Sequence, residues 1–312
     1  MILRCCLVFE VMLVGLSLVH TPTIQAGPPE IPVIDGDWWQ VAYSPDLPEI
    51  SSEPGHVVDH CFFKATNGRW QLWTQIRDTS RGRVFYRWEG CQDFEQPNWT
   101  PKGVCWVGEP EYGESSTVIQ APCVFEENNR FTLLYGGGGQ ICMATSEDGI
   151  KFVRRRNAEG LSRVFADLSR RDPGGMRDPH LLRVGNRYLL YYVARNSRGM
   201  ANDVEVRTAN SARSQAWSEP RVICHGPKGA QSPQILCRNG FYYLLHMGSS
   251  ADYLTKVFCS QDPFDFKEAK VLTQLPVSAA EIIEAEGKHY ISSLIPGYRG
   301  VRVARLRWEV PK

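Results

Sequence analysis

From about residue 56 onward, apolar and polar positions alternate with period two, and the alternation recurs in units that resemble one another. Each unit has a short polar or proline-containing start, an alternating apolar strand, a turn at Asn, Asp or Gly, and an aromatic-rich return strand. The first reads Val58-Asp59-His60-Cys61-Phe62-Phe63, turns at Asn67-Gly68 and returns through Trp70-Gln71-Leu72-Trp73. The second opens Gln120-Ala121-Pro122-Cys123 and turns at Asn128-Asn129; the third opens Arg177-Asp178-Pro179-His180 and turns at Gly185-Asn186. The fourth opens Gln231-Ser232-Pro233-Gln234 and turns at Asn239-Gly240, and the fifth opens Ala280-Glu281-Ile282-Ile283 and turns at Glu286-Gly287. Further strands follow, such as Ile141 to Ser146, Val204 to Thr208 and Val257 to Ser260. No amphipathic helix interrupts the series. Four-stranded units repeating every ~50–60 residues predict an all-β chain, a five-bladed β-propeller with four-stranded antiparallel blades. A β-sandwich would not produce five similar strand starts. The last unit runs out at Lys312 with three strands, so Ile31 to Val41 is expected to supply the fourth and close the ring.

In a propeller the first strand of each blade lies nearest the central channel, so the five strand starts converge on one mouth. That places Asp59, Gln120, Asp178, Gln231 and Glu281 together as equivalent positions. The second strand runs back to the same end, bringing Arg77, the run Gly136 to Gly139, Arg195, His246 and the loop Pro296 to Arg299. Carboxylates around a polar funnel suit hydrolysis of a glycosidic bond, in which one group activates water or attacks and another protonates the departing oxygen. Their competing role is to bond backbone amides at the loops, ordinary work for aspartate.

The leading residues Val58-Asp59-His60, Arg177-Asp178-Pro179 and Gln231-Ser232-Pro233, each followed by strand, turn and aromatic strand, resemble those of the five-bladed propeller glycoside hydrolases of families 43 and 32 and their relatives. The resemblance spans nearly all of residues 27–312 through short motifs. It implies that Asp59 is the base or nucleophile, and that Asp178 tunes the acid or stabilises the transition state. Arg177 would help hold the sugar, as its Arg-Asp-Pro context is similar to that of family 32. The pattern also asks for a general-acid glutamate in the fourth blade, and here the residue is Gln231. An amide has no proton to transfer near neutral pH.

Three readings follow. In the first, the chain is a glycosidase in which Glu281, or less readily His246 or His180, replaces the acid. In the second it is a catalytically silent carbohydrate-binding propeller, and in the third a structural or protein-binding one. Arg77, Gln120, Arg177, Arg195, Gln231 and His246 are the candidate substrate-binding residues. Arginines Arg77, Arg177, Arg195 and Arg299 gathered at the mouth would favour an anionic sugar, a uronate or sulfated unit, unless they serve to pair Asp59, Asp178 and Glu281. Trp38, Trp39, Trp106 and Tyr298 are candidate stacking platforms or core residues.

Charge adds an exclusion. With 35 basic and 34 acidic residues interspersed, the formal charge is +1, which argues against nucleic acid or an anionic membrane as partner. Met1 to Ala26, with Arg4 and an apolar run to about Leu18, reads as a secretory signal peptide, so the protein is expected to be exported to a periplasmic or extracellular location. Of ten cysteines, Cys5 and Cys6 lie in that segment; the other eight lack paired C-x-x-C spacing and are expected mostly as buried thiols rather than a disulfide framework. No metal or other cofactor is expected. Asp-rich calcium loops are absent, although an ion in the channel would need no linear motif. Asn98-Trp99-Thr100 matches the N-glycosylation pattern.

Overall fold

A computed structural model describes residues 27–97, 99–165, 175–195, 202–225, 229–266 and 271–311. The segment read as an export signal and the glycosylation candidate Asn98 lie outside the described residues. Five four-stranded antiparallel sheets stand around one axis. Blade I is β2 (His56–Lys64), β3 (Trp70–Thr79), β4 (Gly82–Glu89) and β5 (Thr100–Trp106). Blade II is β6 (Gln120–Glu127), β7 (Arg130–Gly136), β8 (Ile141–Ser146) and β9 (Val153–Arg154). Blade III is β10 (Arg177–Val184), β11 (Arg187–Arg195), β12 (Asn202–Ala209) and β13 (Arg221–His225). Blade IV is β14 (Gln231–Arg238), β15 (Phe241–Met247), β16 (Thr255–Ser260) and β17 (Val271–Leu275). Blade V consists of β18 (Ile282–Ala285), β19 (Lys288–Leu294) and β20 (Gly300–Glu309), completed by β1 (Ile31–Tyr43), the strand expected to close the ring.

The turns explain why the first two strands of blades II and IV pair as tight hairpins. Asn128 and Asn129 both sit at positive φ between the paired Glu127 and Arg130, and Asn239-Gly240 repeats this between Arg238 and Phe241. Two consecutive left-handed residues match the twist of the strands they join, a geometry that Asn and Gly tolerate best.

Both faces of each middle strand are buried because each blade is sandwiched between two others. On β11, Leu190 and Tyr192 pack towards blade II, whereas Leu189 and Tyr191 pack towards blade IV. On β3, Leu72 faces blade V and Trp73 faces blade II. Five apolar clusters therefore fill the five blade interfaces. Each large side chain shut into them contributes ~1.5–3 kcal/mol, so the ring is held mainly by these radial layers. All eight described cysteines are free thiols. Cys61, Cys123, Cys142 and Cys224 are buried as expected; Cys237 is exposed, because its position on β14 turns outward at the rim instead of into a blade interface.

Candidate active site

The leading residues of the inner strands are not equivalent, because four of the five strands open with a β-bulge, whereas β18 pairs with β19 in a regular register. The ladder shifts between Gln120 and Cys123, Arg177 and His180, Gln231 and Gln234, and, within a shorter span, Val58 and His60. Within the bulges Ala121, Asp178 and Ser232 take φ of 49°, 53° and 45°, each just before a proline, and Ala279 takes 49° ahead of β18. Such a conformation costs a non-glycine residue ~1–3 kcal/mol. Bulges re-aim side chains, and here they separate two levels of the channel.

The upper level is an open cavity of about 510 Å³ at the mouth, whose lining includes Asp59, Arg77, Arg83, Arg177, Asp178 and Gln231. Ser232 ties the two aspartates together: its Oγ donates to Asp59 Oδ1 at 2.8 Å, and its backbone N–H donates to Asp178 Oδ2 at 3.0 Å. Arg177 Nε lies 3.5 Å from the same Asp178 oxygen. Asp178 is buried, and desolvation, followed by the negative charge of Asp59, raises its carboxyl from 3.8 to about 6. Near pH 6 this acid therefore exists partly with its proton on. Gln120 also lines the mouth, where its side-chain oxygen accepts from Arg83. Three guanidinium groups against two carboxyls make the cavity cationic; burial and then the neighbouring Arg77 push Arg83 below the usual arginine range. Arg77 Nε is buried without a hydrogen-bond partner.

The far wall is built by the glycine run. Gly138 and Gly139 line the mouth at positive φ, and a Cβ on Gly138 would meet the Ser115 Cβ at 2.4 Å. Ser115 is held by its N–H bond to Gly137 O and adjoins Glu114, whose buried carboxylate accepts from Arg154 Nε and Ser162 Oγ, both at 2.9 Å, and from the Tyr135 hydroxyl. Paired and hydrogen-bonded in this way, the Glu114 charge fixes the loop behind the cavity instead of serving it.

The lower level is a cavity of about 30 Å³, room for a water molecule, where the first residues after the bulges, His60, Cys123, His180 and Gln234, meet Glu281, which directly precedes β18. Three of these side chains bond the exposed inner edge of the next blade. His180 Nε2 bonds Ile235 O at 3.0 Å, Gln234 brackets Ile282 through both its N–H and C=O, and Glu281 Oε2 accepts from Phe62 N at 3.2 Å. They satisfy backbone groups on the channel-facing strand edges that no ladder reaches. Glu281 thus sits a level below the mouth and is absent from its lining, though Asp59 and Asp178 border both cavities. Burial raises its carboxyl from 4.5 to about 8.

Three further residues expected at the mouth lie elsewhere. His246 is buried between blades III and IV, stacked on Phe258 at 5.0 Å with Nε2 3.5 Å from Cys224 Sγ, and burial lowers its pKa to about 4. Its neighbour Met247 pairs with Gln231, so strand alternation turns His246 off the mouth. Arg195 ends β11 exposed and outside the lining, and Arg299, exposed in the loop just before β20, is outside it too, its Nε donating to Pro296 O. The aromatic candidates Trp38, Trp39 and Trp106 are likewise absent from that lining: Trp38 stacks with Arg302, Trp39 packs on Tyr290 and Trp106 holds Arg154. Tyr298 stands at the rim, its hydroxyl 2.9 Å from the mouth residue Ser250. Arg83 was missed; the third strand of a blade also starts at the mouth, a signal the topology offered. Among the described residues no group of three or more His, Cys, Asp or Glu side chains is placed to hold a metal ion.

No protein-family model matches the chain, and no curated protein matches it in sequence. Solved structures match its fold. A thermostable family-43 glycoside hydrolase aligns at a TM-score of 0.60 with 15% identity, covering 84% of this chain and 95% of its own. A family 117 glycoside hydrolase of the marine bacterium Zobellia galactanivorans aligns at 0.62 with 11% identity over 90% of this chain and 91% of its own. An α-L-arabinofuranosidase from Lactobacillus brevis aligns at 0.59 with 12% identity, covering 80% and 90% respectively. The five-bladed propeller of these enzymes is the fold of this chain.

Proposed function

We propose that the protein is a glycoside hydrolase-like carbohydrate-active propeller that holds an oligo- or polysaccharide in its mouth and cleaves a glycosidic bond there. The observation carrying this reading is the pair Asp59 and Asp178, which border one cavity and are linked through Ser232. Asp59 acts as base or nucleophile. Asp178, raised to about 6 by burial and by Asp59, is the mouth carboxyl able to carry a proton to the leaving oxygen. Arg77, Arg83 and Arg177 favour a substrate bearing a carboxylate or sulfate, since a guanidinium fork matches either group. Export, read from Met1 to Ala26, would bring the protein to such polymers outside the cytoplasm.

A second reading, recognition without cleavage, draws on Gln231, which occupies the mouth where the resembling families carry their acid. A missing general acid costs ~10²–10⁴ in rate. The test is turnover of neutral, uronic and sulfated oligosaccharides by the wild type, Asp59→Asn, Asp178→Asn and Gln231→Glu. Wild-type cleavage lost in both aspartate variants supports hydrolysis by the pair. Cleavage by Gln231→Glu alone leaves recognition as the native role, and no binding or turnover by any form overturns both readings.

A further inference from the structure

We infer that the binding surface continues outward from the mouth, past Tyr298, into a second saccharide subsite on the same face of blades I and V. This rests on the reading of the mouth as a saccharide site. Beside the mouth lies another cavity, of about 850 Å³, with Tyr43, Ser51, Ser52, His56, Asp78 and Arg299 in its lining. It opens on the same end of the propeller: His56 pairs across the ladder with the mouth residue Arg77, and Asp78 directly follows Arg77.

Tyr298, in neither lining itself, stands between residues of the two cavities. The Arg77 guanidinium lies 5.9 Å from its ring centre, the His56 ring lies 6.0 Å from it, and its hydroxyl reaches Ser250 in the mouth. A chain leaving the mouth over this ring enters the outer cavity directly.

The outer lining suits a sugar ring. Tyr43 is 68% exposed and offers a free aromatic face for the C–H side of a pyranose. Around it stand serine hydroxyls, the Arg299 guanidinium and the His56–Asp78 pair, bonded at 2.6 Å, a dense set of donors and acceptors for ring hydroxyls. The cavity is also preformed. The bonds Ser51 N to Leu47 O, Gly55 N to Pro45 O and Ser80 N to Ile50 O hold the 51–54 loop against the blade, so little ordering opposes binding.

The test is calorimetric titration of the intact protein with xylose, galacturonate and sulfated galactose oligomers of two and five units. The five-unit oligomer of the sugar that binds should bind about tenfold more tightly than its two-unit form, a gain abolished in Tyr43→Ala and kept in Tyr43→Trp, with two-unit affinity unchanged in both. Equal affinities at the two lengths, or a length gain indifferent to Tyr43→Ala, would overturn the outer subsite while leaving the mouth intact. Absence of binding by every oligomer would overturn the saccharide reading of the mouth and the subsite with it.

Discussion

Replacing Glu281 with glutamine should reverse part of the protein's pH sensitivity between pH 4.5 and 8. Burial raises this carboxyl from 4.5 to about 8, with the Phe62 N–H bond opposing the rise only in part. A carboxyl whose folded pKa exceeds its unfolded one binds its proton more tightly in the folded state. Its contribution is complete below about pH 4.5 and is lost as the pH climbs through about 8. At ~1.36 kcal/mol per pH unit that span corresponds to about 5 kcal/mol for a group wholly cut off from solvent. Glu281 is only partly buried by surface area and borders the inner cavity, which brings the expected effect to roughly half, ~2–3 kcal/mol. Glutamine has the same shape, accepts from Phe62 as the carboxyl does and carries no charge. Melting both proteins at pH 5 and pH 8 should give nearly equal midpoints at pH 5 and a variant ~5 °C higher at pH 8. Taking variant minus wild type at each pH cancels the other titrating groups. A difference that is the same at both pH values, or a variant that melts lower at pH 8, would refute the burial argument.

Three further outcomes follow from the geometry. Arg83→Met should weaken an anionic oligosaccharide by ~10-fold and leave a neutral one untouched, as read by calorimetry at low and high salt. His246 has its pKa lowered to about 4, so its contribution to stability is present above about pH 6.5 and lost as the pH falls through 4; His246→Leu should make acid denaturation less steep without altering turnover. Gly138→Ala should destabilise by about 2 kcal/mol and narrow the mouth, since the added Cβ strikes Ser115 and the residue holds φ of 85°; chemical denaturation and ligand affinity report the two effects separately.

The propeller was legible because its repeat writes itself in local chemistry. Turn residues such as Asn128-Asn129 and Asn239-Gly240 and two-faced apolar strands recur at one spacing, and the shortfall of a strand in blade V pointed to β1. Asp59, Asp178, Gln120, Gln231, Arg77 and Arg177 were legible for the same reason, since topology alone brings strand ends to the mouth. What stayed hidden depends on shifts of a single residue. A bulge inserts a residue without any mark in the apolar pattern, which set His180 and Gln234 below the mouth, and the left-handed Ala279 ahead of β18 brings Glu281 to the same level. Parity along β15 decided that His246 turns into the interface with blade III, on Phe258, and not towards the mouth, although its neighbour Met247 pairs with Gln231. The Arg83 position needed the third strand to be counted as well as the second.

The meeting of β1 with β20 also governs the order of assembly. Ile31 pairs with Glu309 and Tyr43 with Gly300, so the contact that seals the circle joins residues from the two far ends of the described chain. Blades I to IV can each form from contiguous sequence, whereas blade V must wait for its most distant partner, a slow search for long-range contacts. Until then β20 presents an unpaired strand edge, and Val41 and Ala42 remain out of the apolar layer that they later fill. The β1 strand of another copy fits that edge equally well, so crowded refolding should divert molecules into exchanged dimers, whereas dilution favours solitary rings.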